Sequence, residues 1–110
     1  MKNSASKSWP SGGYRDIASL QIESEEIVAK AGIAMTSGIE PGLGNWLAVG
    51  GVLKSGLNVE FIKYTDAPTE LAVQYLVRID EKENPVSALQ EVIRFLGIEE
   101  NMVKWRFDKP

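Results

Sequence analysis

The sequence contains neither cysteine nor histidine among its 110 residues. Without cysteine, the chain can form no disulfide, no thiolate zinc site and no cysteine nucleophile. Without histidine, it lacks the usual general base and the commonest metal ligand, and serine–histidine catalysis is excluded. An enzyme built from this sequence would therefore have to rely on carboxylates, tyrosine and lysine.

Long apolar runs are also absent. No stretch approaches the roughly 18 consecutive apolar residues of a membrane span, and the N-terminal segment lacks the apolar middle of a signal peptide. We therefore expect a cytoplasmic protein with no membrane partner. The apolar fraction of 44% and the charged fraction of 25% are near the globular average, so we expect one domain of ordinary size.

The most informative stretch runs from residue 71 to residue 96. Its first part alternates apolar with other residues, which predicts a half-buried strand with one face formed by Leu71, Val73, Tyr75, Val77 and Ile79. From Pro85 to Leu96 the apolar spacing changes to that of an amphipathic helix, which Asn84 would cap and Gly97 would end. A strand followed by such a helix provides two apolar surfaces that cover each other, so this unit predicts the core.

The N-terminal third allows two interpretations. Residues 1–13 are rich in serine and glycine and predict a flexible arm, which leaves 14–110 as the folded domain. Residues 14–31 fit either one helix or a strand at about 17–23 followed by a helix at about 24–31. Ser24 as an N-cap before two glutamates, with Gly32 after the last turn, favours the second interpretation.

The middle of the chain predicts a loop and a hairpin. Residues 32–45 contain four glycines and a proline and predict a long connection. The extended runs 46–54 and 57–65 are separated by Ser55-Gly56, which predicts a β-hairpin. Gly50-Gly51 within the first run marks a bulge, a bend or a close approach to the backbone.

Residues 102–107 alternate and predict a last strand at the edge of the sheet. Alternation would direct Trp105 and Phe107 to the core and Lys104 and Arg106 to solvent. Buried rings cannot stack on bases, and a net charge of −3 disfavours phosphate backbones, so we expect no nucleic-acid partner. Together the elements predict an α+β fold, an antiparallel β-meander of about four to five strands packed by two helices.

The carboxylates that we single out lie at the predicted helix start, in the long connection and after the central strand: Glu23, Glu25, Glu26, Glu40, Asp80, Glu81 and Glu83. No calcium loop with alternating ligands is present, so we expect no metal or cofactor. If these groups meet on one surface, they form an acidic patch for a basic protein partner. Trp9 would either dock on the domain or anchor that partner.

As a class, a small acidic chain with a meander followed by a helix resembles the immunity proteins of bacterial polymorphic or contact-dependent growth-inhibition toxins. The resemblance implies a non-enzymatic protein that binds and neutralises one basic toxin domain, often a nuclease, through acidic and aromatic surface groups. Two alternatives remain. One is a phage or secretion-system component that self-associates, for example as a homodimer through the last strand, and the other is a carboxylate-dependent enzyme.

The acidic-patch hypothesis makes a kinetic prediction. Reversing the charges of the selected acidic residues should slow association with a basic partner and flatten its salt dependence, because long-range attraction is screened by ions. Stopped-flow association at several salt concentrations measures both quantities. An unchanged rate and salt slope would refute the patch even if a partner binds.

Overall fold

A computed structural model describes residues 1–3, 13–67 and 74–109 of the chain. Within these ranges the chain forms seven strands, two α-helices and one 3₁₀ turn at Glu100–Met102. The strands are β1 Lys2–Asn3, β2 Tyr14–Leu20, β3 Thr36–Glu40, β4 Gly44–Val52, β5 Asn58–Tyr64, β6 Tyr75–Asp80 and β7 Val103–Arg106. The helices are α1 Ser24–Ala31 and α2 Pro85–Leu96.

All of these strands join one antiparallel sheet. Their order is β1-β4-β5-β6-β2-β7, and β3 pairs with β4 on the same side as β1, because β5 occupies the other side of β4. The predicted α+β fold, an antiparallel sheet packed by two helices, is confirmed, although the sheet has more strands than the four to five expected. Neither helix of the described ranges is long and apolar enough to cross a membrane.

Strand register divides the sheet into an inner face and an outer face. Phe61 pairs with Val49 on one side and with Val77 on the other, so the three side chains point to the same face. All three are buried in one cluster with residues of α1 and α2, which defines the inner face as the one that the helices cover. Burial of each such side chain contributes roughly 1.5–3 kcal/mol to the free energy of unfolding.

Helix α2 has the ends that the sequence predicts. The side chain of Asn84 accepts hydrogen bonds from the backbone N–H groups of Val86 at 3.0 Å and Ser87 at 3.1 Å. Pro85 occupies the first turn, where a missing N–H costs no hydrogen bond. Gly97 ends the helix at φ 65°, a backbone conformation that favours glycine.

Helix α1 has the predicted limits but a different N-cap. Glu23 occupies the cap position and makes no side-chain cap bond, so the prediction that Ser24 caps this helix is wrong. The Ser24 hydroxyl instead shares a hydrogen bond of 2.6 Å with the hydroxyl of Tyr75, a fully buried residue of β6. The serine therefore connects the helix to the sheet. Gly32 ends α1 at φ 67°, as predicted.

The prediction of a long connection at residues 32–45 is wrong, because part of this segment forms β3 and the start of β4. Thr36 to Glu40 pair in regular register with Ala48 to Gly44. Strand β3 is an edge strand, and Ile39, its one large apolar residue, is 77% exposed. A strand that buries neither face shows no alternation, so the sequence pattern did not reveal it.

The glycine pair of β4 does not form a bulge. Gly50 pairs with Glu60 and Gly51 with Val59 in unbroken register, and Gly51 also pairs with Asn3 of β1. The register therefore excludes a bulge, one of the three interpretations of this glycine pair. Register shifts occur instead along β2, between Asp16 and Ala18 in its pairing with β6 and between Ser19 and Leu20 in its pairing with β7.

Two predictions, the N-terminal arm and the central strand, fall partly on residues outside the described ranges. In the proposed N-terminal arm, Lys2 and Asn3 pair with Val52 and Gly51, whereas residues 4–12, including Trp9, are outside the described part of the chain. Residues 68–73 are also outside it. The central strand is therefore described from Tyr75 onward, and the turn after β5 is described only as far as Ala67.

The two N-caps give a matched stability prediction. Asn84→Ala should lower the free energy of unfolding by about 1 kcal/mol, because two backbone N–H groups lose their acceptor. Glu23→Ala, at a cap position without a side-chain bond, should lower it by about 0.5 kcal/mol or less, since only a charge–dipole interaction is lost. Urea denaturation of both variants measures the difference, and equal losses would show that the Asn84 cap contributes nothing specific.

Candidate functional site

Strand β7 turns Trp105 away from the core. Val103 pairs with Leu20 and Trp105 pairs with Ser19, so Lys104 is an extra residue at a β-bulge. The bulge shifts the alternation, and Trp105 lies on the outer face with 42% of its surface exposed. The prediction that Trp105 faces the core is therefore wrong. Phe107 beyond the strand is partly buried against the core, in agreement with its predicted side.

Trp105 forms one wall of a groove on the outer face, which we call the outer groove. Its described lining residues are Ser19, Gly42, Leu43, Ile62, Tyr64, Asp66, Ala67, Gln74, Leu76 and Trp105. Its volume is about 750 Å³, within the range of ligand-binding clefts. No described helix covers this face, because the buried residues of α1 and α2 belong to the core on the inner face.

The floor and walls of the outer groove are apolar. Ile62 and Leu76 are directly paired on β5 and β6 and form its floor. Leu43, in the turn between β3 and β4, is 52% exposed and contributes a wall on the side away from Trp105. Exposed apolar residues gathered in one concavity are typical of binding sites, whereas scattered ones are ordinary.

An ionic network lies beside the groove on the same face. Arg78 of β6 is buried, and its Nε donates a hydrogen bond of 3.0 Å to Asp16 Oδ1 on β2. Its Nη1 is 3.6 Å from Glu60 Oε1 on β5, and its guanidinium lies 3.9 Å from the ring centre of Tyr14. Cross-strand pairing explains this arrangement, because Arg78 is paired with Asp16 on one side and Glu60 on the other.

The network keeps Arg78 charged and makes Glu60 a weaker acid. Burial lowers the pKa of Arg78. Hydrogen bonds and charge interactions with Asp16 and with the Tyr64 hydroxyl together raise it by a larger amount, so the pKa lies above its ordinary value. For Glu60, burial raises the pKa above 4.5, Arg78 opposes that rise, and the charge of Asp16 adds to it. A charged arginine thus separates two carboxylates that would otherwise repel each other.

Tyr64 joins this network to the outer groove. It lines the groove, and its hydroxyl donates a hydrogen bond of 3.1 Å to Glu40 Oε2. Burial raises the pKa of the Tyr64 hydroxyl, Arg78 opposes that rise, and Glu40 adds to it. Tyr64 therefore remains protonated at neutral pH and acts as a hydrogen-bond donor.

Carboxylates outnumber cations around the groove and the network. The four acidic residues there are Asp16, Glu40, Glu60 and Asp66, and Arg78 is the cation among them, which gives a formal charge of −3. Within the described ranges, no three acidic side chains come together as metal ligands.

The acidic residues selected from sequence do not converge. Glu23, Glu25 and Glu26 are at the start of α1, which is hydrogen-bonded to Tyr75 at one end of β6. Asp80, Glu81 and Glu83 are at the other end of β6, about 16 Å away at the usual rise of a strand. Of the described residues in this set, Glu40 is the one that lies beside the groove, and Trp9 is outside the described residues.

Two residues of the second group have structural contacts. Asp80 Oδ1 accepts a hydrogen bond of 3.0 Å from the backbone N–H of Lys82, which stabilises the turn after β6. Glu81 Oε1 accepts one of 3.1 Å from the backbone N–H of Gly13. These contacts position the start of β2, and the side chains of Glu81 and Glu83 remain exposed.

Sequence analysis missed the residues that form this site. Asp16, Glu60 and Arg78 belong to three different strands, and only their register brings them together. One signal was present, since Arg78 stands between Val77 and Ile79 in a strongly apolar strand. A charged residue at such a position indicates paired charges on neighbouring strands.

Comparison of the chain with protein-family models, with curated proteins and with solved structures gave no match. Function must therefore be argued from the geometry and chemistry of the site.

The ionic network makes a pH-dependent stability prediction. Arg78→Met should lower the free energy of unfolding by about 3 kcal/mol near pH 7, because it leaves two carboxylates without their shared cation. Arg78 lowers the pKa of Glu60, so its removal raises that pKa further. The folded variant then binds the proton of the Glu60 carboxyl more tightly than the unfolded chain does. The free energy of unfolding of the variant therefore decreases as pH rises above 4.5.

The penalty of Arg78→Met should consequently be smaller near pH 4.5 than near pH 7, as measured by urea denaturation at both values. Glu60→Gln is the control, because in the Arg78→Met background it removes the repulsion and should restore part of the loss at pH 7. An equal penalty at both pH values, with no restoration by Glu60→Gln, would contradict this description of the network.

Proposed function

We propose that this chain is a protein-binding module that holds a basic partner against the outer face of its sheet. In this role it acts as a cytoplasmic inhibitor, an immunity-type protein that masks a toxin or effector domain. The observation that carries the proposal is the outer groove, an apolar concavity with an acidic surround on the face that no described helix covers.

The composition of this face fits a protein interface. Such interfaces have an apolar, aromatic centre and a polar rim, and tryptophan and tyrosine supply much of their binding energy. The groove has Ile62 and Leu76 at its floor, Trp105 and Tyr64 at its sides, and Asp66 at its margin. A partner side chain that fills it would displace water from apolar walls while polar contacts form around it.

Charge favours a basic partner. The described residues that line the groove or form the network carry a formal charge of −3, so this part of the outer face is acidic and creates a negative field. The acidic ends of α1 and β6 extend this field at both ends of the sheet without being near the groove. Such a field increases the rate at which a positively charged protein meets the face in the correct orientation.

The same geometry supports binding over catalysis. Asp16 and Glu60 are engaged by Arg78, and Glu40 accepts a hydrogen bond from Tyr64. A carboxylate-dependent hydrolase needs two opposed carboxyl groups with a substrate between them. Here the space between Asp16 and Glu60 is filled by the guanidinium.

A second candidate is a self-associating structural protein, because β7 is the last strand of the sheet order and, among the described residues, no further strand pairs with its other edge. Lys104 and Arg106 oppose this assembly, since antiparallel pairing of two β7 strands would bring like charges together. Light scattering on the purified protein separates the candidates. A monomer at micromolar concentration supports the inhibitor, and a closed dimer or larger assembly supports the structural protein.

If the groove is the binding surface, substitutions of its wall residues should weaken partner binding more than a matched substitution elsewhere. A basic protein that is captured by the wild-type chain is purified, and its affinity for Trp105→Ala and Leu43→Ala is measured by calorimetry. Each variant should bind about tenfold or more weakly, because each removes an apolar wall.

Val86→Ala is the control, because Val86 is a similarly exposed apolar residue on α2, on the other side of the sheet. It should change the affinity by no more than about threefold. Full affinity in both groove variants, or an equal loss in the control, would refute the outer face as the binding surface.

A further inference from the structure

Asp66 is a carboxylate at the margin of the groove that is held through one of its two oxygens. Its Oδ2 accepts hydrogen bonds from the backbone N–H of Asn45 at 2.8 Å and from Asn45 Nδ2 at 2.9 Å. Both bonds go to the same oxygen, and among the described residues Oδ1 accepts none. The carboxylate is therefore fixed in position, and within residues 1–3, 13–67 and 74–109 its second oxygen has no hydrogen-bond donor.

The backbone beneath Asp66 is shaped to admit it. Gly44 has φ 84°, and a Cβ built there would lie 2.5 Å from Asp66 Oδ2. Any side chain at residue 44 would displace the carboxylate or strain the turn. Glycine at this position thus lets the start of β4 approach the acidic group closely, and the arrangement holds Asp66 at the margin of the groove.

The other walls suit an aliphatic chain that ends in a cation. Ile62, Leu76 and Leu43 provide apolar contact, and Trp105 and Tyr64 provide aromatic rings, whose faces attract cations. Lysine and arginine side chains bury their methylene groups along apolar surfaces and keep the charged end at a polar site. A carboxylate or phosphate ligand would meet the charge of Asp66, so the site disfavours anions.

We infer that the outer groove binds a lysine or arginine side chain of the protein partner, with the methylene stem on Ile62 and Leu76 and the cation at Asp66 Oδ1. This inference rests on the proposed function and specifies its anchor. It also explains why an apolar groove occurs on an acidic face, because the two properties match the two ends of one side chain.

The test uses single-residue probes. Nα-acetyl-lysine amide and Nα-acetyl-arginine amide are titrated into the labelled protein, and binding is followed by the NMR signals of the Trp105 indole and the backbone amides of residues 43 and 67. Nα-acetyl-norleucine amide is the matched probe, since it keeps an aliphatic stem without the charge. We expect millimolar binding of the two cationic probes and about tenfold or weaker binding of norleucine.

Asp66→Asn tests the carboxylate, because the amide oxygen can still accept both hydrogen bonds from Asn45. It should reduce lysine binding about tenfold and leave norleucine binding unchanged. Glu91→Gln is the matched acidic control, since Glu91 lies on α2 and accepts hydrogen bonds from Ser55, away from the groove. It should leave binding of both probes unchanged.

Two results would overturn the inference while leaving the proposed function intact. Equal binding of lysine and norleucine probes would show that the groove selects no cation. In the second, Trp105→Ala weakens partner binding while Asp66→Asn changes the affinity of neither the probes nor the partner. This result would show that the partner uses the apolar walls alone.

A third result would refute the proposed function instead. In that case the groove binds the cationic probes, but Trp105→Ala keeps full affinity for the partner.

Discussion

Among the described residues, helices cover only the inner face of the sheet, and much of the described structure follows from this constraint. Helices of 8 and 12 residues bury the inner face, whereas the described side chains of the outer face stabilise that face through contacts with one another. At the centre of that face, Arg78 joins β6 to β2 through Asp16 and to β5 through Glu60. Toward the β3 edge, Trp46 packs so closely over Gly38 that a Cβ there would overlap its ring. Specific contacts thus replace the general burial that a second layer of helices would provide.

This division of the outer face gives its two halves different properties. Around Arg78, the charges are paired and largely withdrawn from water, so the strands are held in one register, and a neutral side chain in place of Arg78 would leave both carboxylates without their shared cation. In the outer groove, apolar side chains remain in contact with water, which is unfavourable for the isolated chain and favourable for association. A set of fixed ion pairs beside an apolar groove is typical of preorganised binding sites, in which few side chains have to become ordered on binding.

Local features were predicted well and non-local ones were not. The limits of α2 follow from Asn84, Pro85 and Gly97 together with helical spacing, all of which are visible within fourteen residues of sequence. Strand β3 was missed because Ile39 and its neighbours are exposed, and Trp105 was placed on the wrong face because a single extra residue reverses alternation. The contacts of Arg78 span up to 62 positions and depend on strand order, which periodicity does not encode. The site was therefore the least predictable part of the protein.

The bulge at Lys104 has an evolutionary consequence. In the part of the chain that the structure describes, β2 is the one strand that pairs with β7, so the irregularity of β7 disturbs no second ladder of hydrogen bonds there. Residues 104 and 105 are both exposed, and substitutions there alter the wall of the groove while Val103 and Phe107 continue to pack against the core. If the outer face binds a partner as we propose, recognition can drift independently of folding. A lineage that carries this fold could then exchange one partner for another by changes in a short segment, with the stability of the scaffold preserved.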